Sequence, residues 1–117
     1  MAVIAGNWKM HMAPEEARTF FGAFEIDEMM ANNEILIFPP AISLLAAYKC
    51  EDRDPRVQLG IQNVHWEDQG AFTGEISAVM AASVGASYAL VGHSERRQLF
   101  GETDEQVALK VTAALRQ

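Results

Sequence analysis

The sequence predicts an α/β fold on a parallel sheet, a single (β/α)4 unit over residues 1–117. Three observations carry this. Short apolar runs begin near residues 2, 34, 56 and 87. Segments of helical character separate them. None of the runs shows the alternation of a half-exposed strand. Strands that alternate with helices pair in parallel through right-handed crossovers, and apolar runs without alternation suit strands buried on both faces.

Residues 2–8, AVIAGNW, form the first run and turn polar at Asn7. APEEARTFFGAFEIDEMM follows as a helix. Pro14 suits its first turn, and Glu15 and Glu16 suit the positive end of its dipole. Ala17, Phe20, Phe21 and Phe24 fall on one face at helical spacing, turned toward a core. EILIF, 34–38, is the second strand, closed by Pro39 and Pro40, which cannot continue a ladder. AISLLAAYKCED reads as the second helix, RVQLGIQN as the third strand over 56–61, and SAVMAASVGA as a short helix. Ser77 is its N-cap and Gly85 its stop. SYALVG is the fourth strand, and Ser94 onward reads as the start of a short helix. In the final helical stretch, Thr103 and Gln106 have the spacing of a capping box.

Half of the residues are hydrophobic and 21% are charged, the balance of one globular unit. No apolar run approaches the roughly 20 residues that span a bilayer, and the N-terminal AVIAG is too short for the apolar region of a signal peptide. The lone Cys50, read as an unreactive helix residue, can form no internal disulfide, so a reducing, cytoplasmic setting is expected. The formal net charge of −7 argues against nucleic acid as a partner. It would also repel a small anion at long range, so an anion site must rest on a few local cations and backbone N–H groups.

Polar residues cluster where the strands end: NWKM after the first, QNVHWEDQGAFTGE after the third and HSERR after the fourth. The C-terminal ends of parallel strands are the usual active-site face of α/β folds. Taken alone, a histidine at a strand end such as His93 is more often a hydrogen-bonded structural residue than a catalyst. Gly92 before it permits close approach of a ligand. The N–H groups of a helix starting at Ser94 would face the imidazole, keep it neutral and leave it able to donate to a carbonyl oxygen. Lys9 lies beside Trp8, which suggests a packed stem and a positioned ammonium. Arg96 and Arg97 read as ion-pair partners of acids such as Glu75, Glu95 or Glu102. His11 and His65 lie in loops without ligand-spaced companions, so neither a metal nor a cofactor is expected.

Together GNWKM, QN with GAFTGEIS, and LVGHSERRQLFGETDEQVALKV closely resemble the triosephosphate isomerase family, in order and in spacing, from residue 2 to residue 117. The resemblance implies the parallel (β/α)4 half of a TIM (β/α)8 barrel. It implies that His93 is the electrophile polarising a substrate carbonyl and that Lys9 meets an anionic triose phosphate and steadies enediolate charge. Asn7 would contact substrate, and Ser94 and Glu95 would stand behind the histidine and lysine. Met10, Thr73, Glu75 and Arg96 would lie at a homodimer interface, with Thr73 at the tip of a loop reaching into the partner. Glu102 matches a buried acid of the family's FGE segment.

Family barrels have about 250 residues. The glutamate base, the lid loop and the later phosphate-gripping loops have no counterpart in these 117 residues. Two expectations follow. One is the N-terminal half of an isomerase that interconverts dihydroxyacetone phosphate and D-glyceraldehyde 3-phosphate, inactive alone. The other is a non-catalytic half-barrel fragment that pairs with a second copy or with a C-terminal half.

Overall fold

The computed structural model describes residues 1–117. Four strands form one parallel sheet in sequence order: β1 (Val3–Asn7), β2 (Glu34–Phe38), β3 (Val57–Ile61) and β4 (Ala86–Ala89). The helices are α1 (Pro14–Ala23), α2 (Ala41–Tyr48), α3 (Ala78–Ser83), α4 (Ser94–Phe100) and α5 (Asp104–Leu115). The expected β/α alternation is therefore present, as an α/β half-barrel of the TIM type. β1 pairs with β2 along its whole length, from Val3 against Glu34 to Asn7 against Phe38. The β3–β4 register slips by one residue beside Gly60.

The helix limits follow local chemistry. Ser77 caps α3 by accepting from the Met80 N–H at 3.1 Å. Thr103 and Gln106 form the reciprocal capping box of α5. The first helix is shorter than its periodicity suggests. It stops at Ala23, and a separate 3-10 turn spans Glu28–Met30, opened by the Asp27 carboxylate accepting from the Met29 N–H. The second also stops early. The Arg53 Nε–H donates to the Ala47 carbonyl at 3.1 Å, satisfying a helix-end acceptor that a further turn would have used. Cys50 consequently lies past the end of α2 rather than within it.

Phe21, Ile35, Ile37, Leu44, Val57 and Leu59 form the centre of the core, each at most 7% exposed. Ala17 and Phe21 are the buried positions of α1, and Phe20 and Phe24 pack beside them. Burial on both faces holds for β2 and β3 but not for β1, where Val3 and Ile4 are 59% and 41% exposed. The sheet order makes β1 and β4 its edges, so each lacks one neighbour. Gly60 has no tolerance for a side chain, because a Cβ there would lie 2.2 Å from the Phe38 ring. No helix is long and apolar enough to cross a membrane.

Candidate active site

The loop after β1 is built around a backbone reversal. Trp8 anchors it by stacking on Phe21 and meeting the edge of Phe20, with centroids 5.4 and 5.0 Å away. Its N–H donates to the Phe38 carbonyl and prolongs the β1–β2 pairing by one residue. At Lys9 the chain adopts φ 56°, a left-handed conformation that a residue with a Cβ enters only at a cost. Two side chains hold it there. The Asn7 Oδ1 accepts from the Lys9 N–H at 2.9 Å. From the end of β3, the Gln62 Nε2 donates to the Lys9 carbonyl at 2.9 Å and to the Phe38 carbonyl at 2.8 Å. Asn7, Lys9 and Gln62, with the Phe38 carbonyl, thus form one frame across three strand ends.

Lys9 differs from expectation in one respect: its side chain is 52% exposed, so the stem is not packed away. Trp8 turns inward to the phenylalanines and leaves the lysine on the open side. What fixes the ammonium is Glu95, whose Oε1 lies 2.7 Å from the Nζ.

His93 is the N-cap of α4, in extended conformation, and its Nδ1 accepts from the Glu95 N–H at 3.1 Å. That bond decides the tautomer. An Nδ1 that accepts cannot carry a proton, so the neutral ring bears its proton on Nε2. The Glu95 Oε2 lies 3.9 Å from the same Nδ1; with no proton on that nitrogen, the approach is not an ion pair. The N–H of the α4 first turn thus meets the imidazole as the sequence suggested. Glu95 works in two directions, its backbone on the histidine and its carboxylate on the lysine. The hydrogen bond from Lys9 holds that carboxyl below the usual glutamate range.

Behind His93 stands a buried cluster. The Glu102 side chain is 2% exposed. Its Oε2 accepts from the Arg96 Nε at 3.0 Å and from the Lys110 Nζ at 2.7 Å, and its Oε1 accepts from the Gly92 N–H at 2.9 Å. Lys110 also donates to the Asn63 Oδ1 at 2.8 Å. Burial raises the pKa of the Glu102 carboxyl, but the bonds from Lys110, Arg96 and Gly92 outweigh it and leave it below the usual range. Arg97 pairs instead with Asp104, its Nη1 2.7 Å from the Oδ1. Of the acids considered for the two arginines, Glu102 is the partner of Arg96, whereas Glu75 and Glu95 pair with neither.

The remaining candidates are spread more widely. Ser94 opens α4, directly after the histidine. Met10 is 93% exposed, next to Lys9. Thr73 and Glu75 are exposed in the loop between β3 and α3. The base of that loop is closed where the His65 N–H donates to the Ile76 carbonyl at 2.8 Å. His65 is 8% exposed, with its ring 4.2 Å from both Trp66 and Phe72 and its Nε2 buried without a partner. Gln62 and Asn63 entered the sequence reading only as the QN motif, with no role assigned, and Lys110 was not singled out. For Lys110 a signal exists: it falls three residues after Val107 and three before Ala113, which is 1% exposed. A lysine on a helix's apolar face calls for a buried acid.

A half-barrel with an ammonium and a neutral imidazole joined through one glutamate at its strand ends belongs to the class of α/β-barrel proteins. The particular family follows from comparison: the model of the triosephosphate isomerase family matches residues 2–117, and the chain belongs to that family. It is 49% identical over 114 residues to a triosephosphate isomerase of Gloeothece citriformis, covering 96% of this chain and 47% of that protein. Against one from Synechocystis the identity is 47% over 114 residues, with the same coverages. A Thermoanaerobacter isomerase is 45% identical over 118 residues, covering 97% of this chain and 45% of its own. The chain spans about half the length of the curated relatives it matches.

Proposed function

We propose that these residues form the electrophilic half of a triosephosphate isomerase active site, acting on dihydroxyacetone phosphate and D-glyceraldehyde 3-phosphate in the cytoplasm. The supporting observation is the Lys9–Glu95–His93 arrangement, which joins two strand ends through one residue. Aldose–ketose isomerisation moves a proton between adjacent carbons while negative charge develops on the neighbouring oxygen. A neutral imidazole with its proton on Nε2 donates a hydrogen bond to that oxygen. The Lys9 ammonium, half-exposed and held in place, meets the substrate's anionic end and offsets the chain's unfavourable net charge of −7. Asn7 serves the same site by fixing the Lys9 backbone and, in this reading, by contacting substrate.

Proton transfer also requires a base. Glu95 is committed to Lys9 and sits on the far side of Nδ1, so it does not fill that role. The base then comes from a glutamate outside residues 1–117, supplied by a C-terminal half that completes eight strands. The unpaired edges of β1 and β4 are where such a half would add. Met10, Thr73, Glu75 and Arg96 belong, on this reading, to the contact between two completed subunits. Loss of a general base costs about 10²–10⁴ in rate, and loss of the lid that excludes water and of the loops that grip the phosphate adds to it, so on this reading the 117-residue chain alone is inactive. A coupled assay on the purified chain with either triose phosphate tests this. No turnover above the uncatalysed rate is expected, and a rate near that of full-length isomerases would overturn it.

The exposed Val3 and Ile4 on the β1 edge favour a second reading, in which two copies associate edge to edge as a non-catalytic assembly. Light scattering on the purified chain separates the two, since a monomer excludes this assembly.

A further inference from the structure

Gly92, the residue immediately before His93, has both of its backbone polar groups held by side chains. Its N–H donates to the Glu102 Oε1 at 2.9 Å, and its carbonyl accepts from the Arg97 Nε at 3.1 Å. The backbone there is left-handed, φ 69°, and a Cβ would lie 3.3 Å from both Val107 methyl groups. This turn carries the chain from β4 to the N-terminus of α4 and so sets where the imidazole is delivered. Its two tethers differ in quality. Arg97 leans on Asp104, which is 94% exposed, whereas Glu102 and Lys110 are 2% and 7% exposed.

We infer that Glu102 is a positioning residue for His93: clamped by Lys110 and Arg96, its carboxylate holds the Gly92 N–H and thereby the turn that aims the imidazole. Stability alone does not account for the cluster. Buried ion networks are often matched or bettered by apolar side chains of similar volume. This one places two cations around one carboxylate, with Asn63 from the end of β3 taking a further lysine proton. What an apolar replacement cannot supply is an acceptor for Gly92. The cluster therefore links α5, α4 and the β3 end to the one peptide that orients the candidate electrophile. A misplacement of ~1 Å costs about 10² in rate in sites of this kind. The inference deepens the proposed function, because it rests on reading His93 as the substrate-facing group.

The test reads the imidazole rather than turnover, so the two ideas fail separately. In the isotopically labelled 117-residue chain, nitrogen NMR should show His93 as one neutral tautomer with Nδ1 unprotonated, and hydrogen exchange should find the Gly92 amide protected. Glu102→Leu, which removes the acceptor at similar volume, should speed Gly92 exchange by about tenfold and give a mixture of His93 tautomers, with the β2 and β3 amides unchanged. An unaltered His93 spectrum in a folded Glu102→Leu protein would overturn the inference. Should that variant not fold, the wild-type chain decides. On acidification the Gly92 amide shift must follow the Glu102 carboxyl titration, and a Gly92 amide that ignores it, or that exchanges as freely as an exposed one, equally overturns it. Absence of isomerase activity in every mixture of halves would defeat the proposed function and leave this result standing.

Discussion

The Lys9 ammonium and the Glu95 carboxylate, 2.7 Å apart, join the loop after β1 to the helix after β4 across the full width of the sheet. β1 and β4 are the two edges and share no backbone pairing. Both residues of the pair are half-exposed, so the contact serves geometry more than stability.

Its effect on Glu95 is measurable. The carboxyl is held low chiefly by the Lys9 hydrogen bond, so Lys9→Met should return its midpoint, followed by carbon NMR, upward toward the ordinary glutamate value. Because the folded value is depressed, the pair's contribution is present above the ordinary pKa and fades as pH falls through the lowered one. A midpoint unchanged in Lys9→Met would show that the pair does not persist in solution.

Lys110 is the residue whose loss should harm the fold most for its type. It is 7% exposed and faces a Glu102 that is 2% exposed. Truncating one member of a buried pair leaves the other uncompensated and costs about 3 kcal/mol, so Lys110→Met should lose roughly that much in urea unfolding at pH 7. Acid acts in the same sense. The Glu102 carboxyl lies below its ordinary value when folded, so its contribution is complete above that value and declines as pH drops through the folded one. Asp54, held well below the usual aspartate range by Arg56, adds a loss of the same sign as pH falls. Unfolding midpoints that fall equally with acid in Lys110→Met and wild type would contradict this assignment.

His65 makes the opposite prediction. Its ring stacks 4.2 Å from Trp66 and Phe72 while its Nε2 is buried without a partner. His65→Phe keeps the stacking and removes the orphaned nitrogen, so its thermal midpoint should equal or exceed that of wild type. A clear drop would mean that the nitrogen is satisfied in solution.

The strand–helix order and the capping residues were legible because they depend on local chemistry: Ser77 and Thr103 cap as their spacing implies. The histidine's meeting with a helix N–H was legible for the same reason, since His93 and Glu95 are two residues apart. The Lys9–Glu95 contact was not legible in local chemistry, because 86 positions of chain separate its members; only the family resemblance, which put Glu95 behind the histidine and the lysine, anticipated it. Gln62, which braces Lys9 from another strand, was hidden in the same way. The early stop of α2 turned on Arg53 reaching back to a carbonyl, a tertiary choice that its apolar periodicity does not encode.

Mixing the 117-residue chain with a C-terminal half that carries the glutamate, and assaying triose phosphate isomerisation, tests the central claim most directly. The account predicts activity in the mixture, none in either half, and a fall of about 10²-fold or more with His93→Gln. Activity that survives His93→Gln undiminished would contradict it.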